Sequence, residues 1–562
     1  MPDETLRALA EEYWDVLLEA NPGTATLLGD HRFDDRIDDL SAAGEAVLRG
    51  RWSSFLDRLD RFDRAGLGPD DRVTHGQLAG ELHDAIAAVD LRLAELQSDQ
   101  MTGFHVDLLQ SVPVMAAPDP VCAQMLVERF RQVPTALAQA GQRFLDGAAA
   151  GRLPAAVCVS RSANVIDGYL STPVDQDVFA TLAGPPDWDG EEAWRAALAR
   201  VVVDEIRPAF RRLADVLTGR LLPQARDDDH CGLSWLAGGD DLYAALVARH
   251  TTVDLSPERI HEIGVEEVTE RLPAEYAAIG QRLFGLTDPA AVLDRLRTDA
   301  TLRYETGGEI MADAREALGV ASAAMGGWFG RLPESACAIE PVPEFLAADS
   351  PSAYYFPPAG DGSRGGTYYV NTHLPANKAR YETASIAFHE AIPGHHLQLA
   401  IATELTGLPR FRRFSLSNTA YVEGWGLYAE RLADEMGLYR HDLDRIGMLA
   451  ADSIRACRLV VDTGLHALGW SRAQAVAFMA ANTPVSVDEV TIEIDRYIGM
   501  PGQALAYKIG QREIFRLRDS ARQRLGPAFD IKGFHDAALT SGAVRLPILA
   551  ELVDAWVSAR LP

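Results

Sequence analysis

The chain has 562 residues, 47% hydrophobic and 24% charged, an ordinary globular balance, and is long enough to bury a core without disulfides or a structural metal. Its formal net charge of −28 argues against the phosphate-neutralising surfaces that nucleic acid and anionic membranes require. Five scattered cysteines with no C-x-x-C and a charged start lacking an apolar h-region lead to the expectation of a cytoplasmic protein with reduced thiols.

In chain order the patterning is mostly helical. LRALAEEYWDVLLEA, AAGEAVLRGRWSSFLDRLDRF and THGQLAGELHDAIAAVDLRLAEL carry apolar residues at helical spacing with charged outer faces. VCAQMLVERFRQVPTALAQAGQRFLDGAAAG continues the pattern, with Pro134 starting or kinking a helix. STPVDQDVFATLAGPPDWDGEEAW reads as an irregular loop that enters a helix at Glu191. Ser256-Pro257-Glu258 places a capping residue and a first-turn proline at another helix start. From Cys337 the character changes: CAIEPVPEF, SAYYFPP and GGTYYVNTH are short, rich in Tyr and Val, and broken by Pro and Gly, which predicts short strands. Helix returns at YETASIAFHE and continues to the end. The expectation is a mainly α protein with a small sheet near residues 337–372, as one unit over 1–562. Tentative lobes span 1–235 and 236–562. No run of 18 apolar residues suggests a membrane span.

The chemistry concentrates in FHEAIPGHHLQ, Phe388 to Gln398. Neutral imidazole is a common zinc ligand and a neighbouring glutamate, here Glu390, can act as general base. The familiar H-E-x-x-H spacing puts two histidines on one helix face, but the residue four after His389 is Pro393. The second ligand is therefore His395 or His396. In an uninterrupted helix a residue seven on lies about 10.5 Å along the axis, too far for two nitrogens each about 2.1 Å from one ion. Pro393-Gly394 provides a reason for distortion, and a bulge there would rotate His395 towards the metal. Glu423 is the candidate third ligand. It is flanked by Gly424 and Gly426 in an apolar, aromatic setting where an unpaired carboxylate would be costly. Glu430, one helical repeat on, is positioned to orient a ligand. His396 and Gln398 are expected beside the metal rather than on it.

HEAIPGHHLQ followed by YVEGWGLYAE resembles the bacterial domain-of-unknown-function 885 family, with its H-E-x-x-P-G-H-x-x-Q pattern. LLGDHRFDDRIDDLS, RACRLVVDTGLHALGW, RYIGMPGQALAYKIGQREI and FHDAALTSGAVRLPIL extend the likeness over nearly the whole chain. The resemblance implies a zincin-like, largely helical metallopeptidase, similar in plan to helical zinc carboxypeptidases and oligopeptidases. It implies one zinc per chain held by His389, His395 and Glu423, with Glu390 as base.

Further candidates surround this motif. Tyr507 is expected to stabilise an oxyanion, and Arg496, Gln503 and Lys508 cluster with it around Pro501-Gly502. Arg458, Asp462 and His466 share one helix face at spacings of four, with Arg455 joining them. The row is either substrate-facing, with His466 in a catalytic role, or a buried polar ladder. Arg455, Arg496 and Lys508 are the candidate anchors for a substrate carboxylate. GGTYYVNTH, with Tyr368, Tyr369 and Asn371, is expected to be an edge strand that pairs with a substrate backbone. The leading expectation is hydrolysis of short peptides by a carboxypeptidase or oligopeptidase. The alternatives are a zinc amidohydrolase acting on a small metabolite, and a non-catalytic metal-binding scaffold.

Overall fold

The computed structural model describes residues 5–347, 350–358 and 364–561. The charged first four residues, and parts of the segment expected to form the sheet, lie outside these. The architecture is helical throughout, apart from one three-stranded sheet. No helix of the described residues is long and apolar enough to cross a membrane. The five cysteines are unpaired, and all except Cys337 are buried.

Local chemistry sets the helix boundaries. Thr5 caps Leu6–Ala20 by accepting from the Ala8 amide. Ser256 caps Pro257–Glu266 by accepting from the Arg259 amide, with Pro257 in the first turn, where its missing N–H costs nothing. Pro134 starts Val133–Ala149 rather than kinking it, and the helix at Glu191 runs to Val201. The expected loop before it contains the short turns Val174–Gln176 and Val178–Thr181.

The first helices pack Leu9, Tyr13, Trp52, Phe55 and Leu78 around Phe411, far along the chain. Residues 108–222 form a separate helical core. A smaller cluster joins Leu233, Leu242 and Val247 to Leu459 and Leu505. The tentative boundary at 235/236 therefore falls beside a stretch that packs against the C-terminal helices.

The helix Asp442–His466 is the axis of the C-terminal half. It is buried along almost its whole length, as expected of a helix packed on every side. Gly447 lets it pass so close to the Tyr381 carbonyl that a Cβ there would overlap the oxygen. That approach seats the segment leading into Thr383–Glu390. The strands are β1 (Cys337–Pro341), β2 (Ala353–Phe356) and β3 (Gly366–Val370), in the order β1-β3-β2. β1 pairs parallel and β2 antiparallel with β3. The expected edge strand is thus the central one. Its backbone is paired on both sides, so it has no free edge for a substrate; β2, which lies against Thr383–Glu390, is an edge.

Thr419–Glu435 and Ala506–Leu525 cross in direct backbone contact. A Cβ on Gly424 would meet the Gly510 backbone, and one on Gly510 would overlap the Ala420 carbonyl. Small residues at such crossings set the separation of the helices that carry Glu423 and Tyr507. Gly424→Ala is expected to destabilise the fold by ~1–3 kcal/mol through overpacking. Gly319→Ala, on an exposed helical position with nothing within 4 Å of the added carbon, is expected to stabilise it by ~0.5–1 kcal/mol. Denaturant melts of the two variants should therefore shift in opposite directions.

Candidate metal centre

The expected bulge is a complete break. Thr383–Glu390 ends, Ala391–Gly394 forms a turn containing the cis Ile392–Pro393 peptide, and a new helix runs His395–Glu404. Gly394 is required at this turn, because a Cβ would overlap the His389 carbonyl oxygen. Trp425 donates its indole N–H to the Pro393 carbonyl at 2.9 Å, tying the turn to the Glu423 helix.

The break turns His395 edge-on to His389, with ring centroids 4.7 Å apart. His389 Nε2 lies 3.4 Å and His395 Nε2 3.5 Å from the same Glu423 oxygen. Donors about 2.1 Å from one ion at tetrahedral angles are about 3.4 Å apart, so the three side chains fit a single zinc-sized ion. Their ligand atoms all lie within 4.8 Å of one another. Glu423 keeps 22% of its side chain exposed against 5% for His389, so the cluster opens on the Glu423 side. Gly426 makes room for His389: a Cβ there would stand 2.7 Å from its imidazole.

Hydrogen bonding sets the His389 tautomer. Nδ1 donates to Glu430 at 2.8 Å, leaving the Nε2 lone pair for a metal. Glu430 is itself held by the Ser385 hydroxyl at 2.8 Å, and the Tyr439 hydroxyl bonds the Glu430 carbonyl. His396 points elsewhere: Nδ1 meets the Tyr355 hydroxyl at 2.9 Å and Nε2 the Ser335 carbonyl at 3.0 Å. It links the sheet to the helix and is not part of the cluster. Gln398 bonds the Tyr421 carbonyl across to the Glu423 helix.

Burial raises the Glu390 carboxyl, opposed by His389, His395 and Arg455 and reinforced by Glu423. That is the direction suited to a general base. Burial also works to raise Glu423, but the two imidazoles outweigh it and hold it well below the carboxylate range. For His389 burial works downward, while Glu423 and Glu430 prevail and push it up to about 9. Tyr507 is raised by burial and by Glu423. It lies under Arg458, whose guanidinium carbon is 4.5 Å from the ring centroid, with Arg455 at 5.9 Å. Arg496 bonds Gln503 at 2.9 Å and Glu493 at 3.0 Å.

Other expected residues lie apart. Lys508 is buried about 100° round the helix from Tyr507, bonded to Asp452 and Gln511 within a network that includes Arg431 and Glu267. Its ammonium is thus committed to protein partners away from the metal cluster. His466 is fully buried, accepts the Leu233 amide at Nδ1 and donates from Nε2 to the Tyr497 carbonyl. Burial lowers it to about 3, so it is a neutral strut between segments. Asp462 accepts from the Tyr243 hydroxyl and the Gly502 amide, fixing the turn before Tyr507. Of the row on this face, Arg458 and Arg455 reach Tyr507, and Asp462 and His466 do not. Asn371 bonds three carbonyls, of Ala347, Ser350 and Pro351, and Tyr369 stacks on Tyr354. Sequence reasoning passed over Glu493, Tyr497 and Ser385. The i, i+3 pairing of Glu493 with Arg496 is the signal that could have found the first.

With His389 titrating near 9 in the metal-free fold against 6.5 unfolded, its contribution to stability is fully present below pH 6.5 and lost as pH rises through 9. Chelator-treated protein is expected to lose up to ~3 kcal/mol across that window, and Glu430→Gln to shrink the loss. A pH-independent melting temperature from 6 to 9.5 would contradict the arrangement.

The model of a family described as "Bacterial protein of unknown function (DUF885)" matches residues 22–553. No curated protein matches. A solved structure from Colwellia psychrerythraea, named "putative lipoprotein", superposes with a TM-score of 0.91 at 25% identity over 99% of both chains. Another from Shewanella oneidensis, named "putative lipoprotein of unknown function", superposes at 0.78 with 18% identity, over 98% of this chain and 99% of that one. These names overturn the expectation of a cytoplasmic protein, since a lipoprotein is anchored at a membrane or exported. With the family pattern covering almost its entire length, the chain belongs to the DUF885 family.

Proposed function

We propose that the protein is a single-zinc, zincin-like metallopeptidase that hydrolyses peptide bonds in short peptides. The observation that carries this reading is the convergence of two imidazole nitrogens on one Glu423 oxygen at 3.4 and 3.5 Å, with a partly buried carboxylate, Glu390, beside them.

His389, His395 and Glu423 would hold the ion, leaving a position open for substrate, as catalytic sites with three protein ligands do. Zinc in such a site supplies Lewis acidity, polarising a carbonyl and lowering the pKa of water. The remaining chemistry belongs to the chain. Glu390, its affinity for a proton raised by burial, removes one from the attacking water and passes it to the leaving nitrogen. The water oxygen bonds to the acyl carbon, the C–N bond breaks, and the products are a carboxylate and an amine. Tyr507, whose hydroxyl has no hydrogen-bond partner among the described residues, is free to donate to the oxygen that becomes negative. Glu430 and Ser385 hold the His389 ring in its donating tautomer.

The test is metal content together with turnover of a mixed peptide library. Wild type is expected to carry about one zinc per chain. Glu390→Gln should keep the metal and lose roughly 1,000-fold or more in kcat, on the scale of a removed general base. His395→Ala should abolish metal binding, whereas His396→Ala should leave it in place. Metal loss in His396→Ala, or full turnover in Glu390→Gln, would end this reading.

A further inference from the structure

The proposed reaction leaves open which end of a peptide the site receives. Three guanidinium groups, from Arg455, Arg458 and Arg496, gather around Tyr507. Arg458 and Arg496 share one carboxylate, Glu493, each at 3.0 Å, and Arg458 also bonds the Tyr497 hydroxyl at 2.7 Å. Arg455 has no carboxylate within ion-pair distance among the described residues. Its one hydrogen bond is a long 3.3 Å contact to the Ala451 carbonyl of its own helix. Its Nε is buried and unpartnered, as is Nη1 of Arg458. Glu493 pairs with two of the three guanidinium groups, and Arg455, whose charge is felt at Glu382 and Glu390, is left without an ion pair among the described residues.

Partly buried cations without counter-ions are costly, and a guanidinium presents a planar fork that matches a carboxylate. The cluster also borders the metal centre: Arg455 acts on Glu390, and Tyr507 feels Glu423. Lys508, the other expected anchor, is consumed by Asp452, and Arg496 by Glu493 and Gln503. Arg455 is the cation left uncommitted.

We propose that Arg455, backed by Arg458 and Tyr507, receives the free C-terminal carboxylate of a short peptide, making the protein a carboxypeptidase. This rests on the metallopeptidase reading above. The bond cleaved lies close to the anchored carboxylate. Water adds to the acyl carbon, Glu390 carries its proton to the leaving nitrogen, and the C-terminal fragment departs with its carboxylate still on Arg455.

The experiment uses peptides of identical sequence made as free acids and as C-terminal amides. Wild-type kcat/KM is expected to favour the acids by roughly 100-fold, on the scale of a charge-assisted bidentate contact. Arg455→Met should cut kcat/KM for acids roughly 10–100-fold, mainly through KM, and collapse the acid-to-amide ratio towards one. Arg455→Lys should recover part of the preference. Circular dichroism and zinc content report whether each variant is folded, and the wild-type acid-to-amide ratio tests the proposal even if Arg455→Met is not. Equal cleavage of acids and amides, or a ratio untouched in folded Arg455→Met, overturns the proposal while leaving peptide hydrolysis standing. Calorimetry on Glu390→Gln separates the two readings. Acid-selective binding abolished by adding Arg455→Met, without wild-type turnover, would keep the carboxylate site and remove the peptidase. Neither binding nor turnover would overturn both.

Discussion

Donor atoms that share an ion of this size must come within about 3.4 Å of one another, and an unbroken helix cannot bring His389 and a histidine six or seven residues later to that distance. The molecule meets this constraint by ending the helix at Glu390 and starting another at His395. Much of the surrounding structure serves the break. Gly394 removes the Cβ that would strike the His389 carbonyl, Trp425 pins the turn, and Gly426 gives the imidazole its space. Gly447 lets the central helix press against the segment that leads into the motif.

The second determinant is electrostatic. Glu390, Glu423 and Glu430 crowd two imidazoles in a poorly solvated space, which pulls Glu423 down and His389 up. A doubly charged cation replacing the proton on His389 would satisfy the same carboxylates. On the other flank, Arg455, Arg458 and Arg496 surround Tyr507, and Glu493 forms ion pairs with the last two. The carboxylates around the candidate metal centre thus stand beside a group of three guanidiniums.

Side chains of one helix face can belong to different structures. Arg458, Asp462 and His466 are one turn apart, yet Arg458 stacks over Tyr507, Asp462 holds the Gly502 amide, and His466 spans two backbone segments. Adjacent residues diverge in the same way. Tyr507 faces the arginines while Lys508, about 100° round the helix, is sealed in the Asp452 network. His395 meets Glu423 while His396 is bound between Tyr355 and Ser335.

The sequence alone determined the helical class, the short strands near 337–370, many helix starts, and a candidate group of His389, Glu423 and one of two adjacent histidines, with Glu430 behind it. Those features are local: capping residues, periodicity, a Pro-Gly break, and histidine and glutamate types with strong chemical preferences. The tertiary structure decided what depends on partners distant in the chain. Strand order made Gly366–Val370 central, because β1 and β2 both pair with it. The choice between His395 and His396 followed from which way the new helix starts. The fate of Lys508, His466 and Asn371 was set by Asp452, Leu233 and Ala347, none a sequence neighbour. A side chain's identity states what bonds it can make; only packing states whether other groups of the protein already occupy them.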